Sequence, residues 1–401
     1  MYSAATKTNT GNSFDAQARI VADAIAQGRD LDEVLKGLGL DYDDLVYSDS
    51  RTLKWTGGRP PALDTFEHSG KGVPVVSFFT GCGGMDLGLE AVGFKHVAAF
   101  EHNELFCNTL RHNRPDWQVF GPPVHSGDVS KFDEVAASLA PLVSQPFEGL
   151  FVGGPPCQPF SIAANQRFAK WGDNFKRTGF QHATNGNLLF DFLNLVIEFQ
   201  PKAFIIENVP GLRDLDGGEQ LAAAIKKVKA AGYRVEEPFV LDAANHNVPQ
   251  QRFRLFVVGT RGNGAFEKPA VSASFGAGSV LDRIPGPKVR NHETRTHKAE
   301  SIQRYMQLPY GGRDKLGRVD RLNPILPSKT VIAGGTNGGG RSHLHPEIPR
   351  TLSVREAARL QTFPDNYVFL GPTARQFTQV GNAVPPVLAA TLGTKVIEAF
   401  F

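Results

Sequence analysis

The sequence predicts an α/β fold: a mostly parallel sheet with helices on both faces, joined to a smaller, irregular domain rich in loops. Three observations carry this. From about residue 72 to residue 260, apolar runs of strand length alternate with longer runs of helical period. After Thr260 the alternation stops, and residues 261–345 are rich in Gly, Pro, Arg and Lys with only short apolar runs such as Thr330–Ala333. The final run, Pro386–Phe401, is again helical in period, with Val387, Leu388, Leu392, Val396 and Phe400 at suitable spacing.

Taken in order, residues 1–12 read as a polar tail and residues 13–46 as two short helices. Ser13 caps the first, whose apolar positions are Phe14, Ala18, Val21 and Ile25. Asp30 with Glu33 forms a capping box for the second, whose apolar face is Leu31, Val34, Leu35 and Leu38 and which ends at Gly39. Two such helices imitate a DNA-reading pair, but their acidic balance favours a packing appendage. Gly57–Pro61 reads as a linker. Strands are expected at Val73–Phe79, Val97–Glu101, Gly149–Gly153, Ala203–Glu207, Val235–Leu241 and Leu255–Gly259. Helices are expected at Asp86–Val92, Leu105–His112, Leu188–Phe199 and Gln220–Ala231. No internal repeat interrupts the series. Sheets of this kind bind ligands beyond the carboxyl ends of their strands.

The 401 residues suffice for two packed domains, and 41% hydrophobic with 21% charged residues allows a sizeable core. No run of about 18 apolar residues is present, so no membrane-spanning helix is expected. The first 15 residues lack the apolar core of a secretion signal. Three cysteines, Cys82, Cys107 and Cys157, are an odd number without paired metal spacing, which fits a reduced cytoplasm and no structural metal. His343 and His345 are two residues apart with no cysteine partner, a pattern of polar contacts rather than a metal site. The net charge of +3 is unevenly spread: residues 283–350 hold 13 Lys/Arg against 5 Asp/Glu, whereas residues 1–70 hold 7 against 11. A basic block in a near-neutral chain suits a polyanionic partner or a solvated basic surface.

The first strand runs into a glycine turn, Ser77-Phe78-Phe79-Thr80-Gly81-Cys82-Gly83-Gly84, where backbone can approach a ligand closely. Asp86 stands where a dinucleotide fingerprint would need its third glycine, so a ligand without pyrophosphate is favoured over NAD. Glu101 ends the second strand and is placed to accept ribose hydroxyls; Asp128 ends the next and is placed to meet an adenine amino group. Together they describe an adenosine-type cofactor. Then comes Gly153-Gly154-Pro155-Pro156-Cys157-Gln158-Pro159-Phe160-Ser161. An isolated cysteine is commonly a small buried hydrophobe, but prolines and glycines at a strand end hold this one at the sheet edge. A nucleophilic thiol needs an electropositive setting. Glu207-Asn208-Val209-Pro210 and the alternating Arg252 and Arg254 of Gln250-Gln251-Arg252-Phe253-Arg254 supply charge nearby.

These segments, in this order, together with Arg350–Pro364 (RTLSVREAARLQTFP) and Gln379–Pro386 (QVGNAVPP), resemble the DNA cytosine-5 methyltransferase family, most closely its bacterial restriction–modification type. The likeness runs from about residue 73 to the end; Ser77 departs from the family's usual Asp, and residues 1–70 fall outside it. The resemblance implies a class I S-adenosylmethionine-dependent methyltransferase: a Rossmann-like, mostly parallel seven-stranded sheet with a smaller target-recognition domain. Expected divisions are 1–70 (tail and appendage), 71–262 (catalytic and cofactor-binding), 263–372 (target recognition) and 373–401 (returning to the catalytic domain). The resemblance makes Cys157 the nucleophile at cytosine C6 and Glu207 the group that bonds the ring nitrogen and amino group. Arg252 would hold Glu207 and the base, with Asn208, Arg254 and Pro156 completing the catalytic set. S-adenosylmethionine would contact Phe79, Thr80, Gly81, Gly83, Gly84, Met85, Glu101, His102, Asp128, Val129, Gly154, Pro155, Leu188, Asn382, Ala383 and Val384. Double-stranded DNA would contact Gln158, Ser161, Gln250, Arg341 and His343, with the glycine-rich stretch Gly334–Arg341 entering the major groove. A monomer is expected, with a separate restriction endonuclease as a possible partner. A tRNA-methylating relative and a non-catalytic DNA-binding regulator are the alternatives. The long basic segment and the PPCQPFS form favour DNA, and the complete Cys157, Glu207 and Arg252 set favours an enzyme.

Overall fold

The computed structural model describes residues 13–49, 53–156, 188–333 and 343–401. The chain clusters into two compact units. One comprises the residues up to Pro60 with Ser274–Asn366 and Gly371–Asn382; the other comprises Pro61–Ala273, Tyr367–Leu370 and Ala383–Phe401.

The second unit is built on β1 (Pro74–Phe78), β2 (Lys95–Phe100), β3 (Val119–Phe120), β4 (Leu150–Gly153), β5 (Ala203–Asn208), β6 (Arg234–Val235), β7 (Phe239–Asp242) and β8 (Phe253–Thr260). Their order is β3-β2-β1-β4-β5-β8-β6, with β7 also pairing β8. β1 to β5 pair in parallel, and β8 runs antiparallel to β5. The strand expected at Val235–Leu241 is two short strands, because Glu236-Glu237-Pro238 breaks the ladder and proline donates no hydrogen bond. Both pieces pair the same edge of β8, so the sheet has seven places filled by eight strands.

Alternation along the strands serves two cores. Val76 and Phe78 face Phe192 and Val196 of the helix Leu188–Phe199, whereas Val75 faces Leu388 and Leu392 of the C-terminal helix Pro386–Phe400. Each such phenylalanine or leucine contributes about 1.5–3 kcal/mol by leaving water. The C-terminal helix lies against the helix Gly84–Ala91 so closely that a Cβ on Gly88 would stand 2.2 Å from the Pro386 carbonyl. Thr373–Phe400 is, among the described residues, long and apolar enough to pass for a membrane span, contrary to expectation. It divides at Ala383–Pro385 into two helices, and 67% of its apolar 18-residue window is buried, as in the core of a folded protein.

In the first unit the helices Phe14–Ala26 and Leu31–Gly37 begin where expected. Ser13 Oγ accepts from Ala16 N at 3.3 Å, and Asp30 Oδ1 from Asp32 N at 2.9 Å and Glu33 N at 3.2 Å. The reciprocal capping box forms not at Asp30 but at Asp41/Asp44 and Ser353/Glu356. The later segments supply the helices Ala299–Tyr305 and Val354–Leu360 and a small sheet of β9 (Arg313–Asp314), β10 (Val319–Arg321) and β11 (His343–Leu344).

Candidate active site

The glycine turn after β1 is held by backbone and by one acid. Thr80 N donates to the Phe100 carbonyl at 3.2 Å, and its hydroxyl lies 3.2 Å from Ser77 Oγ, so the serine still carries a polar contact in the turn. Phe79, Gly81 and Gly83 take φ of 55°, 62° and 78°; for Phe79 this left-handed geometry is strained, and it turns the chain out of the strand. Glu101 is buried at the end of β2. Its Oε2 accepts from Gly81 N at 2.8 Å and its Oε1 from Asn103 N at 2.7 Å. A carboxylate oxygen has room for two donors, so Oε2, which takes one here, retains a lone pair for a ligand hydroxyl. His102 Nδ1 lies 3.3 Å from Oε1, and this contact raises the imidazole pKa. Gly127 is obligatory, since a Cβ there would lie 2.0 Å from the Glu101 carbonyl. Asp128 Oδ1 accepts from Ser130 N and Oγ at 3.0 and 2.7 Å, which fixes its carboxylate at the rim. The turn and both acids therefore suit an adenosine-bearing group.

Of the other expected cofactor residues, Gly84 and Met85 open the helix after the turn, and Leu188 opens the helix Leu188–Phe199. Val129 is buried in the apolar core and can offer only main-chain atoms. Ala383 and Val384 lie in the same unit as the turn, whereas the exposed Asn382 belongs to the other.

One group absent from the expectations touches this turn. Tyr367 donates its hydroxyl to the Cys82 carbonyl at 2.6 Å, and burial keeps the phenol protonated. Its neighbours are tied to the helix Glu104–Asn113: Val368 N and O bond the Asn113 amide at 2.8 and 2.7 Å, and Leu370 N donates to Thr109 Oγ1 at 3.1 Å. Nothing local in DNY marks the tyrosine, because the contact spans 285 residues. Tyr367→Phe is expected to raise the Kd for S-adenosylmethionine by about two- to tenfold, the worth of one net hydrogen bond, in a calorimetric titration. An unchanged Kd would remove the tyrosine from the turn's support.

The second cluster lies at the ends of β4 and β5. Asn208 Nδ2 donates to the Pro155 carbonyl at 3.2 Å, tying β5 to the loop that leads into Cys157. Glu207 Oε1 is 2.7 Å from Arg254 Nε, and both side chains are 13% exposed. Gly154 leaves room for this carboxylate: a Cβ there would be 3.0 Å from Glu207 Oε2. Burial raises the Glu207 pKa above the usual carboxylate range, and Arg254 and Arg252 only partly offset it.

The pairing thus differs from expectation. Arg254, not Arg252, holds Glu207, because the antiparallel register sets Glu207 opposite Phe256 and brings the start of β8 to its side. Arg252 is fully buried and is anchored through its main chain, its N donating to Asp242 Oδ1 at 3.0 Å. Burial and Arg254 both work against its charge, while Glu207 supports it.

Two expected DNA contacts are also corrected. Gln250 is 0% exposed and His343 is 2% exposed, so neither presents a side chain to a duplex. Burial lowers the His343 pKa to about 4, and it is neutral at physiological pH. His345 uses both ring nitrogens internally, near the Leu281 carbonyl at 3.1 Å and Glu347 N at 3.1 Å. Cys157, Gln158, Ser161 and Arg341, and the stretch Gly334–Arg341, lie outside the described residues.

A Rossmann-like sheet with seven places, an antiparallel β8 and an acid-braced glycine turn defines an S-adenosylmethionine-dependent methyltransferase fold. Residues 73–398 match the family model described as C-5 cytosine-specific DNA methylase. The chain is 34% identical over 352 residues to the type II methyltransferase M.Eco47II of Escherichia coli, covering 81% of this chain and 78% of that protein. It is 33% identical over 353 residues to M.PspPI of Psychrobacter sp., covering 81% and 79%. Among solved structures, a DNA modification methyltransferase encoded within an E. coli prophage superposes with a TM-score of 0.64 at 24% identity, covering 81% of this chain and 98% of that one. DNMT2 of Spodoptera frugiperda follows at 0.57 and 15%, covering 81% and 99%. The chain belongs to the C-5 cytosine-specific DNA methylase family and is a DNA methyltransferase.

Proposed function

We propose that this enzyme transfers a methyl group from S-adenosylmethionine to carbon 5 of a cytosine within a specific DNA sequence, through a covalent adduct between Cys157 and carbon 6. The observation that supports it most is the ion pair of Glu207 with Arg254 beside Gly154, three residues before Cys157 in sequence. Glu101 would hold the donor's ribose and Asp128 its adenine, with Phe79–Met85 lining the turn. The donor supplies an electrophilic methyl on a sulfonium.

Carbon 5 of cytosine is a weak nucleophile. Addition of the Cys157 thiolate to carbon 6 makes carbon 5 enamine-like. Glu207, with its raised pKa, carries a proton to the ring nitrogen as charge develops there. Arg254 fixes the carboxyl group in that position. After transfer, a water molecule takes the carbon 5 proton, the carbon–sulfur bond breaks, the thiolate leaves, and the ring nitrogen returns its proton to Glu207. A stacked base cannot reach such a site, so the cytosine swings out of the duplex. Double-stranded DNA is the substrate, and a separate endonuclease recognising the same sequence is the partner that its type II relatives suggest.

DNA carrying 5-fluorocytosine has no removable proton at carbon 5 and should trap the enzyme. A denaturation-resistant complex is expected with the wild type and cofactor, and none with Cys157→Ala. Labelled cofactor offered with DNA and with tRNA separates the substrates: label in tRNA alone would overturn the DNA reading, and an adduct with Cys157→Ala would overturn the nucleophile.

A further inference from the structure

Residues 13–49 precede the family match, yet within their unit they are not an ornament. Val21, Leu35 and Leu45 share one buried cluster with Ile302, Met306 and Leu344. Two guanidinium groups of the basic block are then buried against this acidic segment. Arg350 is 0% exposed; its Nη1 and Nη2 bond Glu356 at 2.8 Å each, and its Nε bonds Asp43. Arg321 is 0% exposed between the rings of Tyr47 and Tyr310, 3.6 and 3.8 Å from their centroids, and bonds Asp49 and the Pro346 carbonyl. Tyr47 also donates to the His345 carbonyl at 2.9 Å.

A buried guanidinium needs a carboxylate, because an unpaired charge in low dielectric is severely penalised. Asp43, Tyr47 and Asp49 thus fasten the acidic segment to β10 through Arg321 and to the residues just after β11 through His345 and Arg350. In sequence, β10 and β11 bracket the basic, glycine-rich part of the segment assigned to target recognition. We propose that Asp43, Tyr47 and Asp49 are specificity-positioning residues: the N-terminal segment holds β10 and β11 so that the recognition segment meets DNA in one arrangement. This rests on reading residues 263–372 as the target-recognition region. Loosening the fastening lets near-cognate sequences be accommodated, since discrimination depends on a surface that cannot adapt to the wrong site.

The test uses full-length wild type, Asp49→Asn, Tyr47→Phe and, as a control, Lys36→Ala on an exposed helix face. Each is expressed in a bacterial host without cytosine methylation, and a resident plasmid is sequenced after bisulfite treatment. The wild type defines the consensus. The readout is methylation at consensus sites divided by methylation at sites differing by one base, a ratio that a simple loss of folded enzyme does not lower. The ratio is expected to fall about tenfold for Asp49→Asn, within the range one mismatched pair commands, and about threefold for Tyr47→Phe, with Lys36→Ala unchanged. If Asp49→Asn yields no folded protein, Tyr47→Phe decides alone, since it keeps the ring over Arg321 and loses only the hydroxyl. Weaker methylation at a preserved ratio would overturn the proposal and leave the segment a stabilising brace. A wild type that methylates no plasmid cytosine would instead overturn the DNA reading itself, and the proposal with it.

Discussion

Glu207→Gln is expected to slow methyl transfer by about two to three orders of magnitude while leaving S-adenosylmethionine affinity within twofold, as measured by single-turnover kinetics and by cofactor titration. Glutamine can still donate a hydrogen bond to the ring, but it cannot deliver a proton. Its amide also loses the charge that Arg254 binds at 2.7 Å. The pH profile tests the same point with a definite sign. Burial raises the Glu207 pKa, so its protonated form persists to higher pH than in an ordinary carboxylate and is lost as pH rises through the shifted value. The wild-type rate should therefore fall on the alkaline side with an inflection that Glu207→Gln lacks. An inflection that survives the substitution would assign the titration to another group.

Arg350→Ala is expected to cost about 3–5 kcal/mol of stability in urea unfolding, the scale for breaking a buried ion pair. Burial alone would raise the pKa of Glu356, but Arg350 and the Ser353 amide hold it at about 2. A depressed carboxylate contributes stability that is complete above the ordinary range near pH 4.3 and is lost as pH falls toward 2. The variant reverses that preference, leaving Glu356 buried without its guanidinium, so acidification should partly restore it relative to wild type. A variant within 1 kcal/mol of wild type across that range would show the network to be dispensable.

The sheet and the polar turn were legible in sequence because strand alternation and glycine punctuation are local. β1, β4, β5 and the helix Leu188–Phe199 fall within two residues of their expected bounds. What escaped was tertiary. Both arginines of QQRFR are visible, but which one meets Glu207 depends on the register of β8 against β5. His343 and Gln250 look like surface polar residues until the fold covers them. The opposite charges of residues 1–70 and 283–350 were plain. They signalled one another, because Arg321 and Arg350 are neutralised from within by Asp49 and Asp43.

Because β8 runs against its neighbours, the rim that gathers the departing ends of β4 and β5 also receives the start of a strand. The opposite rim inherits the far end of β8, where Arg261 bonds Glu148 at 2.8 Å and the Lys202 carbonyl at 3.0 Å. From Arg254 to Thr260, three residues before the exposed Asn263, the extended strand covers roughly 20 Å. A fluorophore or affinity handle grafted at Asn263 would accordingly report on the enzyme from its quiet side, leaving the chemistry undisturbed.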